Sequence, residues 1–478
     1  MATRWLSGQD LHGLLGTLPL QFPAYQDLAD RIRYLVVDGR LVHDVRLPSE
    51  RELASTLGIS RATVAGAYAR LADLGFLVPR RGAGNFVRAG PTTRGNGLVG
   101  PYPDFTDLVN LAFASPPAPA GLDEVYRSAL DELPAVLGGH GYGPQGLVSL
   151  REQVAAWYGE RGLPTAPDQI VVTNGAQSAL NVVAGTLLRT GDRVLVEAPS
   201  YPNALDALRR SGARLVAYPL PEDGWQVSGY ATTVRQTAPR LAHLIPEFHN
   251  PTGHWLDEEA RPELAAALRR TRTTAVVDET LVELRLDGQH PRRPLAAWLP
   301  DALTLGSASK AFWGGLRIGW IRAPRVLIRS LVQTRALLDL GSPALEQLVV
   351  ARLLAGSGVD VEEQRSRARM QRDHLVGLLT RRLPDWRVPT PGGGFTLWVG
   401  LPGETSSRLA AAAERHDLLL SAGPRFFPDG GGERHLRLPF TAPRQHLEEA
   451  VERLARAWAD VGVSSPRPGT RRPWDLSV

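Results

Sequence analysis

One lysine, Lys310 in "GSASKAFWGGLRIGW", stands among 54 lysine and arginine residues; every other one is arginine. An amine adds to an aldehyde to form a Schiff base, whereas a guanidinium stays protonated and delocalised. A chain biased so strongly to arginine that keeps one lysine, in a polar Gly-rich turn after an apolar run, points to that chemistry. Ser307 and Ser309 flank the lysine, and Arg317 follows seven residues later.

Other apolar runs also end in polar residues, where open α/β sheets bind ligands. "TNGAQSAL" offers the backbone N–H groups of Gly175 and Ala176 at a helix start, suited to a phosphate, with Gln177 beside them. "EAPSYPN" offers the ring of Tyr201, "EFHNPTG" the amide of Asn250, and "VVDET" the carboxylate of Asp278. A Schiff-base lysine, a carboxylate, a stacking ring, an amide donor and a phosphate cup are together what pyridoxal phosphate requires.

The elements that must position these groups are legible as alternating short strands and helices from about 109 to 458. "QIVVTNG", "RVLVEAP", "RLVAYPL", "LAHLIPEF", "TAVVDET", "ALTLGSASK" and "RIGWIRA" read as strands of an α/β sheet covered on both faces. A separate unit occupies 22–89. Its first helix carries Leu28, Ile32, Leu35 and Val36 on one face. Ser49 and Glu52 have capping-box spacing before the second helix, which Gly58 ends. Ser60 caps a third helix that presents Val64, Tyr68, Leu71 and Leu74 inward. "FLVPRRGAGNFVR" reads as a hairpin. Helix, helix, tight "GIS" turn, helix and hairpin make a winged helix-turn-helix. Residues 1–21 read as a short amphipathic arm, 90–108 as a Gly- and Pro-rich linker, and 459–478 as a flexible tail.

The composition narrows the class. No cysteine is present, which excludes disulfides, thiolate metal sites and cysteine nucleophiles and fits a reducing compartment. No metal ligand set is expected. No signal peptide and no run of 18 apolar residues is found, so a cytoplasmic protein without membrane contact is expected. A net charge of +5 permits a nucleic-acid partner.

The ordered set "YGPQG", "TNGAQSAL", "APSYP", "HNPTG", "VVDE", "SASK" followed by "GLRIG", and "LRLPF" resembles fold-type I aminotransferases of the aspartate aminotransferase kind over nearly all of 109–458. The resemblance implies a large mixed-sheet domain and a small C-terminal domain. It makes Lys310 the Schiff-base lysine and pairs Asp278 with the pyridinium nitrogen. Asn250 would bond the phenolic oxygen and Tyr201 would stack on the ring. Gly175, Ala176, Gln177, Ser307, Ser309 and Arg317 would hold the phosphate. It further implies that Tyr142 reaches the partner subunit's phosphate, hence a dimer, and that Arg437 clamps an α-carboxylate by a bidentate pair. One departure stands out. A tyrosine is usual two or three residues after the aspartate, where Thr280 and Leu281 occur, which argues against full transaminase turnover.

"LPSERELASTLGISRATVAGAYARLADLGFLVPRRGAGNFV" resembles the GntR family of winged helices. Ser60, Arg61, Ala62 and Thr63 open the third helix, where such helices meet base edges. Arg51 is placed for phosphate or base contact, and Arg80, Arg81 and Gly82 form a basic wing turn. The unit holds ten arginines against seven acids, a mild positive excess. The fusion is similar to MocR-type regulators. That implies a pyridoxal phosphate-dependent transcriptional regulator on double-stranded DNA, in a head-to-tail homodimer. Its signal would be the cofactor itself or an amino-acid or amine effector that takes Lys310's place on it. The alternative is an active aminotransferase carrying a DNA-binding domain.

Overall fold

The computed structural model describes residues 5–15, 20, 22–37, 40–41, 44–80, 84–88, 108–288 and 293–461. In the N-terminal unit, α1 (Gly8–Leu15), α2 (Ala24–Val37), α3 (Glu50–Leu57) and α4 (Arg61–Asp73) precede a hairpin of β1 (Leu77–Arg80) and β2 (Gly84–Val87). Leu28, Ile32, Leu35, Leu53, Val64, Tyr68 and Leu71 share its core. Leu74 is an exception to the expected face. It caps α4 at 39% exposure, and Ala67 is buried instead.

The N-terminal arm is part of this unit. Leu11 and Leu15 of α1 lie in the winged-helix core. The Glu52 carboxylate accepts the Gly8 N–H at 2.8 Å, while the Ser49 hydroxyl accepts the Glu52 N–H at 3.2 Å. Only half of the expected capping box therefore forms. The first N–H of α1 is itself an unsatisfied donor, and it takes the glutamate.

The large domain carries a seven-stranded sheet made of the seven predicted strands. They are β4 (Ile170–Thr173), β5 (Arg193–Ala198), β6 (Arg214–Pro219), β7 (Leu241–Leu244), β8 (Thr274–Asp278), β9 (Leu303–Ser307) and β10 (Gly319–Arg322), with β3 (Val109–Asn110) lying outside the sheet. Their order is β4-β10-β9-β8-β7-β5-β6; β5 to β9 pair in parallel, and β10 is antiparallel to both neighbours. Alternate residues enter different cores. Leu195, Leu244 and Val277 pack on one face, and Val194, Val196 and Val276 on the other. The strand interiors are mostly apolar because helices cover both faces.

The small domain is built on β11 (Thr396–Gly400), β13 (Ser421–Ala422) and β14 (His435–Pro439), in the order β11-β14-β13; β12 (Leu418–Leu419) pairs in parallel with β3. Helices Val361–Arg382, Ser406–Glu414 and Arg444–Val461 accompany it.

The winged helix is docked on this domain. Arg33 of α2 bonds Glu414 at 2.6 Å, and Arg408 reaches Asp27 at 3.0 Å. Tyr34 is buried in the small-domain core, and its hydroxyl oxygen accepts the Ala422 N–H at 3.0 Å. No helix among the described residues is long and apolar enough to cross a membrane.

Candidate functional site

β8 and β9 deliver Asp278 and Lys310 to one cavity of about 750 Å³ at the C-terminal edge of the parallel strands. Ser307 is the last residue of β9 and caps the helical turn Ala308–Ala311, its hydroxyl accepting the Ser309 N–H. That turn carries Lys310, whose Nζ donates to the Ala114 carbonyl at 2.5 Å. Burial, then the cations Arg437 and Arg317, hold the Lys310 amine down at about 8, while Asp278 opposes them. A lowered value makes the neutral, nucleophilic amine accessible near neutrality.

Asp278 accepts from both the Thr280 N–H at 2.8 Å and the Thr280 hydroxyl through Oδ1. Its other oxygen faces no such donor among the described residues. Thr280 and Leu281 line the cavity where a tyrosine is usual, and the Thr280 hydroxyl is spent on the carboxylate. Asn250 and Tyr201 also line it. The buried Oδ1 of Asn250 and Oγ of Ser309 have no hydrogen-bond partner among the described residues.

The helix start beside Arg317 follows from backbone geometry. Gly175 takes φ +82 as the N-cap of helix Ala176–Leu187, and a Cβ there would stand 3.0 Å from the Arg317 guanidinium. Arg317 in turn donates to the Asn174 carbonyl at 3.1 Å. A glycine lets the arginine lie against the loop. Ala176, Gln177, Ser307, Ser309 and Arg317 line the cavity, although Gln177 donates to the Asn203 carbonyl at 3.0 Å.

Arg437 enters from β14 of the small domain. It is 6% exposed, donates to the Ala112 carbonyl, and lies over the Phe426 ring. Burial pulls its guanidinium down to about 10, while Tyr201 opposes this. Its Nε has no partner among the described residues. The Ser421 hydroxyl lies 3.5 Å from Arg437. Ser421 immediately precedes Ala422, which Tyr34 holds.

Tyr142 does not reach its own chain's cavity; it is 65% exposed.

Three features escaped the sequence reading. Arg425 is a third arginine of the cavity, in the short Gly423–Phe426 turn, with no distinguishing signal in the sequence. His243 of β7 is fully buried with neither ring nitrogen bonded among the described residues, and burial lowers its pKa. Glu197 of β5 is raised to about 8 by burial, and His249, 3.8 Å away, is lowered to about 3. Burial favours the neutral form of both groups.

On the winged helix, the Ser60 hydroxyl accepts the Thr63 N–H at 3.0 Å and starts α4. Arg61, Ala62 and Arg51 are exposed and Thr63 is half-buried. Arg61 pairs with Glu50 at 3.1 Å, and its side chain stays 73% exposed. Arg80 pairs with Asp44 at 2.5 Å and lies over Phe86. Arg81 and Gly82 lie outside the described residues.

The cavity's donors fit pyridoxal phosphate: an amine of lowered pKa, a carboxylate with a spare oxygen, an aromatic ring, an arginine against a helix start, and two buried polar atoms without partners. Comparison with known proteins agrees. The model "Aminotransferase class I and II" matches residues 106–454, and "Bacterial regulatory proteins, gntR family" matches 24–87. The HTH-type transcriptional regulator YisV of Bacillus subtilis is 26% identical over 471 residues, covering 91% of this chain and 95% of that one. The probable rhizopine catabolism regulatory protein MocR of Rhizobium meliloti is 29% identical, covering 63% and 66%. The crystal structure of LysN, the α-aminoadipate aminotransferase of Thermus thermophilus, complexed with N-(5'-phosphopyridoxyl)-L-leucine, aligns with a TM-score of 0.66 at 30% identity, over 74% of this chain and 93% of that one. The chain therefore belongs to the aminotransferase class I and II family and joins to that domain an N-terminal gntR-family winged helix, as MocR-type regulators do.

Proposed function

We propose that the chain is a DNA-binding transcriptional regulator that holds pyridoxal phosphate in the large-domain cavity and reads the state of that cavity out through α2. Bound there, the cofactor supplies an aldehyde that Lys310 or an incoming amine can engage. Lys310 is the amine that attaches it. Asp278 offers its free oxygen to the ring nitrogen, and Asn250 its amide to the phenolic oxygen. Tyr201 covers the ring. Arg317, Ser307, Ser309 and the N–H groups at Gly175 and Ala176 hold the phosphate, with Gln177 beside them. Arg437, buried and with an unpartnered Nε, fits an α-carboxylate by a forked pair. The effector is then an α-amino acid, or the cofactor itself.

The observation that carries this reading is the path from Arg437 through Ser421 and Ala422 to Tyr34. A residue of the DNA-binding unit is thereby part of the domain that would grip the effector. Any movement of β13 on ligand binding pulls on α2. That is a two-state coupling between sites, with Tyr34 as the shared element. On DNA, Arg61, Ala62 and Thr63 face base edges, and Ser60 fixes the helix start that aims them. Arg51 and Arg80, with Arg81 and Gly82, serve the backbone. The protein acts in the cytoplasm as a head-to-tail homodimer, with Tyr142 of each subunit given to the other's phosphate.

The test is binding of the purified chain to the DNA upstream of its own gene, at physiological salt with excess random competitor, with and without pyridoxal phosphate. Selective binding that changes with the cofactor is expected. A second reading, an active aminotransferase, draws on the intact Lys310, Asp278 and Arg437. Sustained turnover of an amino acid with a 2-oxo acid, without selective DNA binding, would replace the regulator by that enzyme.

A further inference from the structure

The edge of the sheet opposite the cofactor cavity carries a feature that neither reading uses. Arg193 and Arg214 are the first residues of β5 and β6 and stand directly across from each other in the parallel register. Arg240 immediately precedes β7 and donates its N–H to the Arg193 carbonyl. Arg272 is the C-cap of the helix Arg261–Thr271, two residues before β8, at φ +53. Because β8, β7, β5 and β6 are successive neighbours, these four arginines form a row, one per strand. They border an open depression of about 390 Å³ that also contains Asp192.

All four are exposed, and among the described residues none of their guanidinium groups makes an ion pair or a side-chain hydrogen bond. Asp192 is occupied locally, accepting the Arg189 N–H at 2.8 Å. Arginines in a helix's last turn complement the helix dipole. The helices leading into β6, β7 and β8 carry such residues. That account covers Arg272, the C-cap of the helix Arg261–Thr271, but not the arginines at the starts of β5, β6 and β7. A sheet gains nothing from four like charges side by side, since cross-strand like charges destabilise.

We propose that this row is a second, sequence-independent contact for the DNA backbone, used by duplex that extends past the winged helix. The proposal rests on the regulator reading above. The spacing suits a polyanion: three strand separations of 4.7–4.9 Å make a row of roughly 14 Å, and one DNA strand carries a phosphate every 3.4 Å or so of axis. The openness argues against a small-anion pocket, which would bury a guanidinium and add backbone donors. Two contacts lead from the β6 side of the row toward the DNA-binding unit. The Arg209 guanidinium, five residues before Arg214, bonds the Pro428 carbonyl at 2.6 Å. A Cβ on Gly430 of that same loop would lie 3.0 Å from the Gly13 carbonyl of α1. The β6 end of the row is therefore the end next to the winged helix.

The experiment compares the full-length, cofactor-loaded chain with its R193Q/R214Q/R240Q/R272Q variant on random-sequence duplexes of about 16 and about 60 base pairs, titrated from roughly 50 to 200 mM salt. The short duplex spans little more than a winged-helix footprint. On the long duplex the variant should lose about 0.9 in the slope of log affinity against log salt for each phosphate contact removed. On the short duplex its affinity should match the parent's. Retained cofactor absorbance and an unchanged melting temperature keep a folding defect from imitating the result, and the corresponding four-lysine variant should restore the slope. Equal slopes on the long duplex would overturn the proposal. So would an equal loss on both lengths, or a difference seen only in binding of inorganic pyrophosphate, which would make the row a small-anion site. If the parent binds neither duplex, the regulator reading falls and this proposal with it. If it binds the short duplex but gains nothing from the long one, only this proposal falls.

Discussion

Ser60, Arg61, Ala62 and Thr63 are consecutive and lie at the surface of α4. Lys310, Asp278, Asn250, Tyr201 and Arg437 come from five segments of two domains and meet in one cavity. The cations differ in the same way. Arg61 is solvated and shares one neighbour, Glu50, so its charge is available to a polyanion at little cost. Arg437 is buried, so its charge is costly unless an anion arrives. An exposed set suits a partner read by surface contact and strong salt dependence. A buried set suits a small ligand whose carboxylate satisfies a charge that the protein alone leaves under-paired.

The sharpest way to break this contrast is K310A. Loss of the only amine in the cavity should abolish covalent attachment of pyridoxal phosphate, read as loss of the borohydride-trapped cofactor, while leaving winged-helix binding to short DNA intact. A trapped cofactor in K310A would remove the basis of the site. The pH dependence sharpens the same point. Burial lowers the Lys310 amine to about 8, so below that value the reactive neutral form is the minor one. The rate of attachment to cofactor-free protein should fall about tenfold per pH unit below about 8 and level off above it. A rate flat from pH 6 to 9 would mean that the amine is not so enclosed.

R437A should keep the attached cofactor but weaken amino-acid binding by about 2–5 kcal/mol, as expected when one partner of a buried charge pair is removed. Titration of the cofactor's absorbance with amino acids measures it. An amine without a carboxylate should bind both forms alike. R61A should weaken specific DNA binding by about 1–3 kcal/mol if the residue reads a base; an equal loss on random DNA would assign it to the backbone instead.

Y34F tests the joint between the two regions. The ring keeps its packing, but the buried Ala422 N–H loses its acceptor, at a cost of about 1–3 kcal/mol. Thermal stability should fall by that amount, and the difference in DNA affinity with and without cofactor should shrink. An unchanged difference would mean that the coupling runs through another contact.

Much of this was legible beforehand. The seven apolar runs became the seven strands of the large sheet, because strands buried on both faces read as continuous apolar segments. Ser60 and Gly58 acted as caps as expected, since caps are local chemistry. Leu74 and Glu52 were misjudged for one reason. Leu74 follows the helical period, but α4 ends there and leaves it at the surface. Glu52 has the right spacing to Ser49, but a distant donor, Gly8, takes it. Periodicity and spacing do not register what another segment contributes.

The order and type of residues alone determined that a lysine, a carboxylate, an amide and a phosphate cup belong to one chemistry, and that a winged helix precedes them. Each of those signals sits within a few consecutive residues whose backbone geometry is set locally. Only the tertiary structure decided that Arg425 lines the same cavity, that Tyr34 of α2 sits against Ala422, and that Arg193, Arg214, Arg240 and Arg272 stand in a row. Those relations depend on strand register and on the burial of surfaces far apart in the chain. Both are set by the packing of the whole core, and no local run of residues encodes them.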